Sequence, residues 1–149
     1  MTKEKKSILF ICTHNSARSQ MAEGLVNALY SNKFSAQSAG TVATKVNPFA
    51  IEAMKEIGID ITHYRSKSVE KFKGRIFDIV VTVCDNARET CPFFPGKKVI
   101  HKGFDDPASV RGSDRDKLEA FKSVRDEIKN WLDNEFLREG RRQETELRF

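Results

Sequence analysis

Cysteine is scarce: there are only three in 149 residues, an odd number and too few for a disulfide scaffold, so the fold must rest on a buried apolar core. In a reducing compartment such cysteines are catalytic, metal-bound or simply buried. Long apolar runs are missing too, and none is long enough to cross a bilayer. The stretch after Met1-Thr2-Lys3-Glu4-Lys5-Lys6 is too short for a secretory signal. The expectation is therefore a cytoplasmic protein with no membrane partner. The three histidines, His14, His63 and His101, are scattered, and no Cys/His spacing matches a zinc motif. No metal site is expected. Internal repeats, low-complexity tracts and linkers are absent, as is any basic helix with interleaved aromatics of the kind that binds nucleic acid.

What is present describes one globular domain over residues 1–149, with 141–149 as a flexible tail. Hydrophobic residues make up 39% and charged residues 32%, enough of each for a core and a solvated surface. Twenty-six Lys and Arg against twenty-one Asp and Glu leave a net charge of +5. That suits a surface mildly attractive to anions rather than a nucleic-acid patch.

The chain is organised around Cys12-Thr13-His14-Asn15-Ser16-Ala17-Arg18-Ser19. The apolar run Ile8-Leu9-Phe10-Ile11 leads into it, and Met21, Leu25 and Leu29 follow at helical spacing. A cysteine at a strand end, then a tight polar loop, then a helix N-terminus is an arrangement that presents backbone N–H groups to a tetrahedral oxyanion. Arg18 adds a planar fork for two of its oxygens. The same field would favour the Cys12 thiolate, placed beneath the anion as a nucleophile.

Further along, 36–41 reads as a short strand closed by Gly40. Asn47-Pro48 reads as a helix cap and first position, with Ile51, Met54 and Ile57 as the apolar face and Gly58 as the stop. Residues 66–73 suggest a brief helix with Val69 and Phe72 inward. Residues 77–83 are continuous and β-branched, a strand buried on both faces, and 98–101 is a weaker edge strand. The last helix starts near Ser113 or Asp114 and is expected to end before Gly140. Strands alternating with helices predict an α/β fold, a parallel sheet covered on both faces, whose ligands bind beyond the carboxyl ends of the strands. Cys12, Cys84 and the pair Asp105-Asp106 all fall at that rim.

Cys84 and Cys91 lie seven positions apart. In a helix that is about 10 Å along the axis, beyond the roughly 7 Å Cα separation that a disulfide tolerates, so a bridge requires the segment to unwind. Two readings stand: a core cysteine with an incidental neighbour, or a redox switch that loops out on oxidation. Asp105-Asp106-Pro107 has two readings as well. One is an ordinary Asx cap; the other, favoured for Asp106, is a general acid that protonates a departing oxygen.

Taken together, the segment from Cys12 to Glu23, Ser38-Ala39-Gly40-Thr41, Cys84 with Cys91, and Gly103-Phe104-Asp105-Asp106-Pro107 resemble the thioredoxin-coupled arsenate reductases of the low-molecular-weight tyrosine phosphatase superfamily. The likeness runs from about residue 8 to the final helix. It implies a single-domain three-layer sandwich, a sheet of about four parallel strands, a monomer, and a role in arsenic detoxification. It also implies that Cys12 attacks arsenate held by Arg18 and the loop from Thr13 through His14, Asn15, Ser16 and Ala17, while Ser19 hydrogen-bonds the thiolate. Asp106 would help to protonate the leaving oxygen. Cys84 would attack Cys12 and release arsenite, and Cys91 would then form a Cys84–Cys91 disulfide for thioredoxin to reduce. Electrons come from thiols, so no bound cofactor is expected. Some members hold potassium through positions matching Asn15, Glu23 and Ser38. Lys67 here stands where they place an acid, and its ammonium is expected to replace the ion. The alternative is a small phosphatase of the same superfamily, or residual phosphatase activity. It is disfavoured because Ala108-Ser109 follow Pro107 in place of the tyrosines that wall a phosphotyrosine site. A non-enzymatic oxyanion-binding or redox-sensing module is the third reading.

Overall fold

The computed structural model describes residues 5–84 and 93–146, with side chains as far as residue 136 in the last helix. The apolar run that opens the chain becomes β1 (Lys6–Cys12), in which Ile8, Leu9, Phe10 and Ile11 are wholly buried. A strand with no exposed face needs neighbours on both edges and layers on both sides. It has them. β1 pairs in parallel with β2 (Phe34–Gly40) on one edge and β3 (Phe77–Thr82) on the other, and β3 pairs in parallel with β4 (Gly96–His101) at the sheet edge. The strand order is β2-β1-β3-β4. The chain thus steps outward from β1 to β2 and returns past β1 to β3, so the switch point lies between β1 and β3 and a cleft opens beyond their carboxyl ends.

Alternation along β1 divides the core. Ile8 and Phe10 face α1 (Arg18–Leu29), α2 (Pro48–Glu56) and α3 (Asp114–Glu146), meeting Met21, Leu25, Met54, Phe121 and Ile128. Leu9 and Ile11 face the other way, with Val80 and Phe77, and are covered by Phe94 and by Phe72 from the 3-10 turn Val69–Phe72. Helical elements therefore lie on both faces of a four-stranded parallel sheet, the expected α/β sandwich.

Three local features depart from the sequence reading. β2 begins at Phe34 rather than at 36, because Phe34 pairs with Lys6 and packs on Phe136 with ring centroids 5.0 Å apart. α2 starts as expected, with the Asn47 side chain accepting from the Phe49 N–H at 2.9 Å and Pro48 in the first turn, and Gly58 follows it at φ 79°. Its buried face, however, is Ala50, Ala53 and Met54, while Ile57 is exposed. Small residues there let α2 approach its neighbours closely, and Arg125 of α3 reaches in to donate to the Ala53 carbonyl at 2.7 Å. α3 does not stop before Gly140 but continues to Glu146. One interior glycine costs a helix only about 1 kcal/mol, too little to end it. Among the described residues no helix is long and apolar enough to cross a membrane.

Candidate active site

The loop between β1 and α1 is held from outside by its carbonyls. The Thr13 carbonyl accepts from Val42 N–H at 3.0 Å and the Ser16 carbonyl from Asn47 N–H at 2.9 Å. The His14 carbonyl accepts from Ser66 Oγ at 2.9 Å, and the Asn15 carbonyl from Gln20 Nε2 at 3.1 Å. The Ala17 carbonyl accepts the Met21 N–H at 2.8 Å, the first bond of α1. Five successive carbonyls are thus occupied, three of them by Val42, Asn47 and Ser66 from outside the loop and its helix, an arrangement that can present the intervening N–H groups to an anion. At the helix start Ala17 occupies the cap position, no side chain caps the first turn and no acidic residue lies in it, although Ala17, Arg18 and Ser19 are all buried. A buried, uncapped helix N-terminus calls for a bound acceptor, and the helix dipole favours a negative one.

That loop geometry requires a left-handed residue. Asn15, at φ 50°, is the one non-glycine residue with positive φ among those described, and asparagine tolerates this region better than most side chains. His14 needs no positive φ. Gly40 supplies the other condition, closeness: a Cβ there would lie 2.7 Å from the Asn15 nitrogen and the Thr13 oxygen and 2.8 Å from the Cys12 oxygen. The end of β2 is pressed against the loop with no room for a methyl group.

Cys12 is a buried free thiol whose Sγ lies 2.8 Å from Ser19 Oγ. Ser19 Oγ accepts from Asn15 Nδ2 at 2.8 Å, which leaves the serine hydrogen available to the sulfur. Cys12, His14, Ser16, Ala17, Arg18, Thr44, Asp106 and Ala108 line a cleft of about 200 Å³. Arg18 also donates to the Phe104 carbonyl at 3.1 Å, tying the 103–109 loop to the loop between β1 and α1. The same loop carries the aspartate pair. Asp106 lines the cleft while Asp105 is exposed. Asp106 also caps the 3-10 turn Pro107–Ser109, accepting from Ala108 N–H at 3.0 Å, so the Asx-cap reading and the cleft reading both describe it.

Cys84 follows β3 and is fully buried, its Sγ 3.8 Å from the Ile11 carbonyl, one residue before Cys12. Cys84 is disulfide-bonded, and Cys91, with the segment between them, lies outside the described residues. Behind the loop, Glu23 accepts from Ser38 Oγ at 2.7 Å and from Lys67 Nζ at 3.2 Å, and the Lys67 N–H donates to Asn15 Oδ1 at 2.7 Å. The lysine ammonium thus stands against the carboxylate named for the ion, on the same oxygen that accepts from Ser38, while the asparagine is met by the lysine's backbone N–H. Among the described residues no group of three or more His, Cys, Asp or Glu side chains is placed to hold a metal.

Sequence reading missed Gln20, Gly40's contact, Ser66, Thr44 and the Phe104 carbonyl. The first two sit inside quoted motifs and carried a signal: a glycine closing a strand beside the loop, and an amide one turn from the left-handed residue. The others reach the loop across 30 to 86 positions of chain and leave no local pattern.

Residues 7–144 match the family described as low molecular weight phosphotyrosine protein phosphatase. The chain is similar to an arsenate reductase of Halalkalibacterium halodurans, 47% identical over 83% of this chain and 90% of the relative. It is also similar to an arsenate reductase of Bacillus subtilis, 44% identical over 93% of this chain and 99% of the relative. A solved structure described as an arsenate reductase in reduced state superposes with a TM-score of 0.71 at 32% identity, covering 87% of this chain and 95% of the other.

Proposed function

The chain belongs to the low molecular weight phosphotyrosine protein phosphatase family and is an enzyme that reduces arsenate; on that premise we propose that it works through a three-cysteine relay regenerated by thioredoxin. Cys12 displaces an oxygen from arsenate held by the inward N–H groups and Arg18, forming a sulfur–arsenic bond, and Asp106 supplies the proton that lets the oxygen leave as water. Cys84 then attacks the Cys12 sulfur. The electron pair of the sulfur–arsenic bond passes to arsenic, which leaves as arsenite, and a Cys12–Cys84 disulfide remains. Cys91 attacks Cys84, frees Cys12, and leaves a Cys84–Cys91 disulfide for two thiols of thioredoxin to reduce. Two thiols become one disulfide as As(V) becomes As(III), so the electrons balance without a bound cofactor.

The observation that carries this reading is the set of five occupied loop carbonyls around a buried thiol with Arg18 beside it. Cys12 free while Cys84 is disulfide-bonded is the pairing state expected at the end of the relay. Among the described residues the cleft has no Phe, Tyr or Trp in its lining, which suits a bare tetrahedral oxyanion over an aryl phosphate. Lys67 takes the place of a potassium ion in this reading.

The test is a single turnover. Fully reduced protein is mixed with arsenate without any other reductant, quenched by alkylation and mapped for disulfides. One arsenite per chain, formed together with a Cys84–Cys91 bridge, is the expected result. Three free thiols with hydrolysis of a phosphate monoester would overturn it in favour of a phosphatase.

A further inference from the structure

The geometry points to Gln20 as a positioning residue that sets the hydrogen bonding, and through it the reactivity, of Cys12 by way of Asn15 and Ser19. The inference rests on Cys12 being the nucleophile and not on arsenate being the substrate.

Gln20 is wholly buried in the first turn of α1 and points back under the loop. Its Nε2 faces three oxygens: Asn15 Oδ1 at 2.8 Å, the Arg65 carbonyl at 2.9 Å and the Asn15 carbonyl at 3.1 Å. Three acceptors around one end of an amide fix that end as nitrogen. Among the described residues its buried Oε1 has no hydrogen-bond partner. All the polar work of this side chain is therefore donation, and an unpaired buried carbonyl is tolerated to obtain it.

The consequence runs in one direction along a chain of hydrogen bonds. Donation from Gln20, and from the Lys67 N–H, holds Asn15 Oδ1 on the far side of the loop, so Asn15 Nδ2 must point at Ser19. Ser19 then accepts from Asn15 and has its hydrogen left for the Cys12 sulfur, and a donor to the sulfur favours the thiolate over the thiol. Reversing the Asn15 amide would offer Ser19 an oxygen and draw its hydrogen away from sulfur. Gln20 also holds the Asn15 carbonyl, the one loop carbonyl tied outward by a side chain from α1 itself. Losing it would free the carbonyl of the left-handed residue and leave the Lys67 N–H alone to hold the direction of the relay.

The test uses Gln20→Met, nearly isosteric and unable to donate, with the full chain. Reduced protein is treated with iodoacetamide across a pH series and modification of Cys12 is followed by peptide mass. The variant is expected to react up to about tenfold more slowly than wild type at the acidic end of the series, and the two to converge at its alkaline end. Arg18, Asp106 and His14, the charged or titratable groups that line the cleft with Cys12, are the same in both proteins, so they cancel in the comparison. In a Ser19→Ala background, Gln20→Met is expected to change the pH profile no further, because its route to the sulfur is gone. A role confined to packing would lower the unfolding temperature while leaving the profiles superimposed, and that result overturns the inference; so does an undiminished Gln20→Met effect without Ser19. If wild-type Cys12 itself reacts with the profile of an unperturbed thiol, the nucleophile reading fails instead, and the two failures are distinct.

Discussion

A carboxylate at 5% exposure persists only where something replaces its lost hydration, and for Glu23 that is Ser38 and the Lys67 ammonium. Lys67→Met is expected to cost on the order of 3 kcal/mol by leaving the charge buried and unpaired. Urea unfolding measures this, and Glu23→Gln added to Lys67→Met should restore most of the loss. Turnover in potassium chloride and in sodium chloride should then be equal for the wild type; selective stimulation by potassium would show that the ammonium does not fill the ion's place. At this scale much of the site was legible, because Cys12, Arg18, Ser19 and the loop form one contiguous motif, and because Asp106 sits beside a proline after the last strand. Gln20 was not read, although it is adjacent to Ser19. Its importance depends on three oxygens, two of them backbone, and backbone groups have no letter in the sequence.

Elements are joined by fewer polar contacts, and Asp78 is one of them. Its carboxylate accepts from the Ser7 N–H at 2.8 Å, and its own N–H donates to Ser7 Oγ at 3.0 Å, lacing the start of β3 to β1. The Ser7 N–H, opposed by partial burial and aided by Lys97, holds the Asp78 carboxyl below the usual carboxylate range. A depressed value stabilises the fold above the unfolded-state pKa of about 4, and that stability drains away as the pH falls through the folded-state value. Asp78→Asn should therefore lower the unfolding temperature by a constant amount above about pH 5 and by less as the pH drops below 4. A wild-type to variant gap that widens in acid would contradict this. Strand identity was readable from uninterrupted β-branched and apolar runs, and the cap of α2 from Asn47-Pro48. The alanine face of α2 was not, since alanine carries little hydropathy and only the nearness of a neighbour makes it a contact surface. The end of α3 was misread because Gly140 is a weak breaker with no proline behind it.

For the molecule as a whole, an oxyanion that binds the folded state and not the unfolded one raises stability by about 2.7 kcal/mol at a hundred times its dissociation constant. In a chain of this size that is a rise of roughly 5–10 °C in Tm. Arsenate and phosphate should both produce it in thermal melts of the wild type, and neither should in Arg18→Ala. Equal shifts in the two proteins would place the anion elsewhere on a surface of charge +5. The global arrangement was open to sequence reasoning because strand and helix alternate, which fixes a parallel sheet and puts the site at its carboxyl rim. What alternation does not encode is the return of 41–47 and 65–67 over the loop, where Val42, Asn47 and Ser66 hold its carbonyls.

The contact at Gly40 makes strand β2 and the loop that follows Cys12 share a wall one hydrogen thick. In the vocabulary of inheritance, the two stretches cannot drift independently: a lineage is free to vary the tips of its helices, but any side chain gained at position 40 must be answered by a rebuilt loop. The neighbouring Ala39 belongs to the opposite face of the sheet and its core, so adjacent positions answer to different pressures, one to packing and the next to chemistry.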